Sequence, residues 1–391
     1  MRSFRETDYD YTEDQKSLKE LVSQFAENEI GPFIEDEENA ETPDVQRIKD
    51  LVRKMGEIGL TGLTAPTDKG GAGLGALEFA MALEEIAKVS LSHSTTLAVT
   101  ALPLSILLEF GSEKQRDQYL EPLITGECVG SFALSEAGSG SDAAALKTTA
   151  KKEGKEWVLN GTKLWITNAP AAGVFVVMAR SNDQKGHKGI SAFLINGDNP
   201  GLRVSKTEKK LGLRGSPTCE IVLENCRLPE SALIGGEGQG FKIALAALDS
   251  GRISIGATSC GLAQAALTYA LNYAQDREQF GKAIYHFQGI QWMFADMATE
   301  LEASRLMVYE AAKLKDDGKP FTRLSSMAKL KASEMAMKVT TDAVQILGGV
   351  GYTKEYPVER YMRDAKVLQI VEGTSQVQKI VIARDLVKES L

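Results

Sequence analysis

The segment 368–378 reads LQIVEGTSQVQ and places one carboxylate, Glu372, between an apolar run and a helix start. Ile370 and Val371 suit a buried stretch, and Gly373 lets the chain turn sharply. Thr374 can cap a helix whose apolar positions are Val377, Ile380 and Val381. Nothing in the sequence visibly pairs with Glu372. A lone carboxylate in apolar surroundings has a raised pKa and can serve as a general base. An exposed Glu in a capping turn is the other reading of the same residues.

A second segment with chemical potential is FALSEAGSGSD, from Phe132 to Asp142. A strand followed by small residues exposes backbone N–H groups, and Gly138 and Gly140 permit close approach of a bulky or phosphorylated ligand. Ser135, Ser139 and Ser141 add hydroxyls. No Gly-Lys-Ser/Thr follows, so this is not a Walker loop. No GxGxxG opens a helix either, which argues against a nicotinamide dinucleotide fold. Taken alone, a Gly/Ser turn of this kind is also an ordinary loop.

These segments sit in a chain of 391 residues, long enough for two or three domains. A hydrophobic fraction of 43% and a charged fraction of 25% describe a soluble globular protein. The net charge of -8 argues against nucleic acid as the main partner, because phosphate neutralisation needs basic surface. Cys128, Cys219, Cys226 and Cys260 show no CxxC pair or metal-ligand spacing and read as buried free thiols in a reducing compartment, with no metal site. No apolar run approaches the ~20 residues of a membrane span, and neither a signal nor a transit peptide is visible at the start. The expectation is a soluble intracellular protein, bacterial cytoplasmic or, if a processed eukaryotic chain, mitochondrial matrix.

Periodicity divides the chain into residues 1–130 (helical), 131–238 (β) and 239–391 (helical). Thr12 and Gln15 have capping-box spacing ahead of Leu18, Leu21, Val22 and Phe25. Thr42-Pro43-Asp44 predicts a helix with Pro at its first position. Gly70–Gly73 breaks the pattern before a helix through Ala80, Leu83 and Ile86. In WVLNGTKLWIT, Asn160-Gly161 predicts a hairpin turn between two strands. Strands follow over 174–178, 190–195 and 220–223, with Cys219, Ile221 and Leu223 on one face. Gly235–Gly238 closes the β region. Ile290, Met293, Phe294, Met297 and Leu301 then form one helical stripe, and Leu324, Met327, Ala328, Met335 and Val339 another, read as the interior of a helix bundle. Gly348-Gly349 ends the second stripe.

FALSEAGSGSDAAA followed by Trp165-Ile166-Thr167 resembles the flavin-binding signature of the acyl-CoA dehydrogenase family. A second family signature is matched from Gln345 (QILGGVGYTKEYPVER) through Asp364, and LQIVEGTSQVQ resembles the family's base loop. The resemblance is collinear from EEIAK at Glu84 and GSEKQRDQYLEPL at Gly111 to the last helix, and it is of the short/medium-chain, butyryl-CoA dehydrogenase-like type. It implies a mainly α fold with a central β domain: an N-terminal helical domain, a β-barrel-like middle domain and a C-terminal four-helix bundle. It further implies FAD, an acyl-CoA substrate, an electron-transfer flavoprotein as partner, a homotetramer and a place in fatty-acid β-oxidation. By the resemblance, Phe132, Ala133, Leu134, Ser135, Gly140 and Ser141 line the flavin and its phosphates. Trp165 packs on the isoalloxazine, with Ile166 beside it and Thr167 on N5. Arg277 and Gln288 reach the FAD of a neighbouring subunit, as do Gln345, Ile346, Leu347, Gly348 and Gly349, while Thr374 and Gln376 contact the flavin. Ser141, Asp249, Ser250, Gly251, Arg252 and Gly373 match substrate-side positions.

The implied reaction removes the α-proton of an acyl-CoA thioester while the β-hydrogen leaves as hydride to flavin N5. Glu372 would supply the base, and its N–H together with a ribityl hydroxyl would hold the thioester oxygen. Some members place the base on a helix of the last domain. The matching position here is Gly251, which has no side chain, and Asp249 and Ser250 point elsewhere, so the base falls to Glu372. An enoyl-CoA reductase running the same site in reverse stays open. An acyl-CoA oxidase usually has an extra C-terminal domain, absent here, and a non-catalytic flavoprotein would have lost the base. The acyl tail has a candidate lining in 90–100, SLSHSTTLAVT, where His93 reads as a packing residue or as part of the pocket.

Overall fold

The computed structural model describes residues 9–184 and 186–389. Helices come first: α1 (Glu13–Phe25), α2 (Ile34–Asn39), α3 (Val45–Glu57), α4 (Ala76–Val89), α5 (Leu91–Phe110) and α6 (Glu113–Ile124). Strands follow: β1 (Val129–Ala133), β2 (Thr149–Glu153), β3 (Glu156–Thr167), β4 (Ala172–Arg180), β5 (Ile190–Asn196), β6 (Leu202–Thr207), β7 (Thr218–Pro229) and β8 (Leu233–Ile234). The last part is α7 (Gly240–Asp276), a small ribbon of β9 (Glu278–Gln279) and β10 (Lys282–Ala283), then α8 (Gln288–Asp316), α9 (Thr322–Leu347), α10 (Val358–Leu368) and α11 (Ser375–Glu389). This is the expected mainly α architecture with a central sheet.

The sheet runs β6-β7-β3-β2-β4-β5-β8, with β1 pairing parallel to β4. Both faces of β4 are dry because its side chains alternate between two cores. Val174, Val176 and Met178 pack with α5, α6 and the start of α7, while Phe175, Val177 and Ala179 pack with Trp157, Cys219 and Ile221 on the other face. A third core joins the first and last helical regions: Val22, Met81 and Leu83 share it with Cys260, Leu267, Val308 and Ala336. At its centre, fully buried Glu84 accepts from Arg305 Nε at 2.7 Å and Tyr309 Oη at 2.9 Å, and Arg305 Nη2 donates to Gln264 Oε1 at 3.0 Å. The close approach of α4 to α7 requires a glycine, since a Cβ on Gly261 would lie 2.2 Å from the Glu84 carbonyl oxygen.

Several expectations are met in detail. Thr12 Oγ1 accepts from Gln15 N at 3.2 Å while Gln15 Oε1 accepts from Thr12 N at 3.1 Å, a reciprocal cap. Gly348 ends α9 at φ 67°. His93 is a packing residue, buried between Ser90 Oγ at 2.9 Å and Glu37 Oε1 at 3.3 Å. Other expectations are corrected. Asp44, not Thr42, caps α3 by accepting from Arg47 N at 3.1 Å, so Pro43 stands before the helix. Asn160-Gly161 is no hairpin turn. β3 continues through it with a bulge, and the chain reverses at Gly154, where Glu153 pairs with Glu156. Pairing with β7 overrides the local turn preference: Asn160 Oδ1 accepts from Asn225 N at 2.8 Å, and a Cβ at position 161 would meet Thr148 Oγ1 at 2.4 Å.

Met327 lies off the buried α9 stripe, and Cys128 is only partly buried, although all four cysteines are free thiols. An apolar helix of membrane-spanning length does exist, α5, but 72% of its apolar window is packed inside the protein, as in a core helix. Removing one partner of a buried ion pair strands the other charge, which typically costs ~3–5 kcal/mol. Glu84→Gln should therefore lower the free energy of unfolding by about 3 kcal/mol in denaturant titration. A change below about 0.5 kcal/mol would mean that the network contributes little.

Candidate active site

The loop bearing Glu372 begins where α10 ends. Ile370 N and Val371 N both donate to Val367 O, at 2.8 and 3.0 Å. The backbone then turns left-handed at Glu372 (φ 53°) and at Gly373 (φ 88°) before α11 starts. For a residue with a Cβ this conformation costs roughly 1–2 kcal/mol. Two buried donors offset it. Gln378 Nε2 donates to the carbonyls of Glu372 at 3.0 Å and Gly373 at 2.9 Å, and Lys329 Nζ donates to the Gly373 carbonyl at 2.9 Å. A hydrogen bond from a charged donor contributes ~1.5–3 kcal/mol, the same order as the strain. Ser375 N closes the loop onto Gln369 O at 3.0 Å, and Thr374 Oγ1 accepts from Val377 N at 3.2 Å, the expected cap. Against expectation, Ile370 and Ile380 are exposed.

The residue as a whole is half-buried, yet its Oε2 is sealed from solvent and has no hydrogen-bond partner among the described residues. The carboxylate lies against α7: a Cβ built on Gly251 would stand 2.6 Å from Oε2. Burial pushes the Glu372 carboxyl up to about 7, against the opposing pull of Arg252 and then Lys329. The surroundings are therefore not simply apolar, since two buried cations flank the group. Arg252 Nη1 donates to Asp249 Oδ1 at 2.5 Å and to Ser326 Oγ at 3.2 Å, and its Nε has no partner among the described residues. Asp249 Oδ2 in turn accepts from Thr322 Oγ1 at 2.7 Å. The N–H of Glu372 has no acceptor among the described residues.

The Gly/Ser loop is built around an ion pair. Glu136 accepts from Lys147 N at 2.6 Å, Thr148 N at 3.0 Å and the buried Lys163 Nζ at 2.7 Å, and Lys163 also donates to Leu134 O at 3.1 Å. Burial pushes the Lys163 ammonium down to about 8. Glu136 and Ser139 exchange backbone bonds of 3.0 and 3.1 Å, which turns Gly138 and Gly140 outward into open space. Beside this loop the β3–β7 register slips between Lys163 and Ile166. The slip puts Trp165 at φ 64° with the residue 58% exposed. Asn168, buried at φ 66°, ties the strand end to α5 and β1 through Nδ2 bonds to Thr96 O at 3.1 Å and Gly130 O at 3.3 Å.

The structure brings Glu372, Gly373, Gly251, Arg252 and Asp249 into one cluster. It also joins the 132–141 and 165–167 segments, through Leu164 N to Ser135 O at 2.9 Å and Ser131 Oγ to Thr167 O at 2.7 Å. Within those sets, Ala133, Leu134 and Ile166 turn their side chains into the cores, leaving only main chain to face a ligand. Phe132, Ser135 and Thr167 are partly exposed, and Gly140, Ser141 and Gln376 are exposed. Ser250 Oγ is turned back to Ala246 O at 3.4 Å. Arg277 and Gln288 are exposed at the two sides of the β9–β10 ribbon, and Gln345, Gly348 and Gly349 are exposed at the end of α9, where Ile346 and Leu347 are core residues. Sequence reasoning missed Lys329, Gln378, Glu136, Lys163 and Asn168. The available signal was a lysine on a helix face otherwise made of Ser325, Ser326 and Ser333, all buried.

Three family models match in succession: the acyl-CoA dehydrogenase N-terminal domain over residues 12–127, the middle domain over 131–226 and the C-terminal domain over 238–387. Mouse short-chain specific acyl-CoA dehydrogenase, mitochondrial, is 46% identical over 96% of this chain and 90% of its own. The acryloyl-CoA reductase (NADH) of Anaerotignum propionicum is 45% identical over 97% of this chain and 96% of its own. Butyryl-CoA dehydrogenase from Megasphaera elsdenii superposes with a TM-score of 0.93 at 40% identity, covering 97% of this chain and 100% of the other. A chain in the structure of an electron transferring flavoprotein of Acidaminococcus fermentans superposes at 0.94 with 45% identity, covering 97% and 99%.

The burial of Glu372 has a consequence independent of catalysis. Its folded-state pKa of about 7 lies above the ordinary 4.5, so the folded state holds an extra proton between those values and stability falls as pH rises through that window. Glu372→Gln mimics the protonated form. It should be more stable than the parent by about 2–3 kcal/mol above roughly pH 8, and equal to it below roughly pH 4, in paired denaturant titrations. Equal stability at both ends would mean that the carboxylate is solvated.

Proposed function

This chain belongs to the acyl-CoA dehydrogenase family, and on that premise we propose that it removes two hydrogens across the α,β bond of a short acyl-CoA thioester, with Glu372 as the base and an electron-transfer flavoprotein as acceptor. The observation that carries this reading is the sealed, unpartnered Oε2 of Glu372, held near neutrality among Gly251, Arg252 and Lys329. A base with a pKa near the working pH combines availability with proton-accepting strength. The cofactor is FAD. The outward glycines of the 138–140 turn and the uncovered Trp165 face suit a flat ring carrying phosphates, so the residues present fit the group. Bound there, FAD supplies the hydride acceptor.

The remaining chemistry belongs to the chain. Glu372 takes the α-proton onto its carboxylate, and its own free N–H is available to the thioester oxygen as charge builds there. Arg252, already fixed by Asp249 and Ser326, steadies the charged form of the base. Phe132, Ser135, Ser141, Trp165 and Thr167, with the main chain of Ala133, Leu134, Gly140 and Ile166, would hold the cofactor, and Thr374 and Gln376 would close over it. Arg277, Gln288 and the 345–349 turn would act on a neighbouring subunit's cofactor. Ser141, Asp249–Arg252 and Gly373 form the substrate side. Because Arg277, Gln288 and the 345–349 turn act across a subunit boundary in this reading, we read the assembly as a tetramer. The 45% identity to a relative named acryloyl-CoA reductase (NADH) favours the reverse direction as a second reading.

Anaerobic titration with a panel of acyl-CoAs should bleach the flavin, most completely with short straight chains. Glu372→Gln should retain FAD and lose about 10²–10⁴-fold in the reductive rate. Turnover like that of the parent would remove Glu372 from its assigned role. Gly251→Ala should fold normally but crowd the carboxylate, slowing reduction by up to about a hundredfold. A rate within about twofold of the parent would show that the carboxylate has room to move aside.

A further inference from the structure

We propose that Lys329 and Gln378 are positioning residues for the base, their buried donors holding the Glu372 and Gly373 carbonyls so that the carboxylate faces Gly251, with Lys329 also supplying a positive field. The field part rests on Glu372 being the base, whereas the clamp part does not.

Lys329 lies on α9, 43 residues before Glu372 in the chain, and is fully buried. Its ammonium makes one hydrogen bond among the described residues, to the Gly373 carbonyl at 2.9 Å. A buried charge whose role was only to hold the fold together would be expected to close directly on a carboxylate. Glu372 is close enough to act on Lys329 electrostatically, yet its Oε2 accepts no bond. The cation thus stabilises the carboxylate without occupying the oxygen that must receive a proton. Gln378 completes the device. Also fully buried, its single amide nitrogen spans both carbonyls and fixes the peptide planes on either side of Gly373. The other charged groups around the pair are Arg252 and its partner Asp249 on α7, and Glu334 on α9, which accepts from Ser375 Oγ at 2.7 Å. Of these, Arg252 is the second cation that acts on Glu372.

The test uses the FAD-loaded protein and the variants Lys329→Met, Lys329→Arg and Gln378→Met. In hydrogen–deuterium exchange, Lys329→Met and Gln378→Met should each speed exchange of the amides that close the loop, those of Val371, Ser375 and Val377, by about tenfold or more, with the β region unchanged. In the pH profile of flavin reduction at saturating acyl-CoA, Lys329→Met should move the acid limb upward by on the order of one pH unit. Lys329→Arg and Gln378→Met should leave the limb in place. Unchanged loop exchange in both Met variants overturns the clamp, and an unmoved limb in Lys329→Met overturns the field. Should Lys329→Met fail to fold, Gln378→Met alone decides the clamp. In that case the field is tested with Lys329→Gln, where an unmoved limb again overturns it. If Glu372→Gln keeps its turnover, the base assignment falls while the exchange result still stands, so the two failures are distinguishable.

Discussion

A carboxylate oxygen, Glu372 Oε2, sealed from water with no hydrogen-bond partner among the described residues, is the constraint around which the rest of this structure is arranged. Left alone, such a group would protonate or drag in solvent. Here it is held by three independent segments: α7 contributes Gly251 and Arg252, α9 contributes Lys329 and Ser326, and α11 contributes Gln378. Those helices must stay fixed relative to one another, and the shared helical core makes that possible. Glu84, Arg305, Tyr309 and Gln264 stitch α4, α7 and α8 together at its centre with bonds of 2.7–3.0 Å. The functional loop is short and strained, but its anchors belong to the most deeply buried part of the molecule.

The sheet meets a different demand. It leaves Trp165 exposed while both faces of β4 stay dry. A regular strand would turn an indole at that position either into a core or along the sheet surface. The register slip before Ile166 breaks that alternation, and the buried Asn168 and Lys163 on either side hold the distortion in place. Left-handed backbone occurs both at Trp165 and at Glu372, and at Glu372 the buried Lys329 and Gln378 bond the carbonyls of the turn itself.

How much of this was legible in the sequence depends on the range of the interaction. Local signals were read correctly at Thr12, Thr374 and Gly348, because caps and stops depend on residues within one turn. The alternation of Cys219, Ile221 and Leu223 was equally readable. Asn160-Gly161 misled because pairing with β7 and the packing of Thr148 decide its conformation, and neither is local. The membrane-length apolar helix went unrecognised because polar Ser, Thr and His residues interrupt its apolar run, of which Ser94 and His93 are bonded internally. At the candidate site, Glu372 was singled out from its loop, and its setting is less apolar than the sequence suggested. Lys329 and Arg252 come from helices 43 and 120 residues away in sequence, and no single-sequence pattern links a stripe lysine to a distant carbonyl.

Gly251 shows why composition at one position cannot be interpreted without the other. Its missing side chain looked like the loss of a base site, and in space it is the room that the Glu372 carboxylate occupies. A Cβ there would stand 2.6 Å from Glu372 Oε2, so any side chain on α7 and the carboxylate from the loop compete for one volume. A carboxylate rooted at 251 would project into the same volume from the other side. Position 251 and position 372 thus give onto one point between α7 and the loop. Occupancy of that point is exclusive, which makes glycine at 251 and glutamate at 372 a single solution written in two places along the chain.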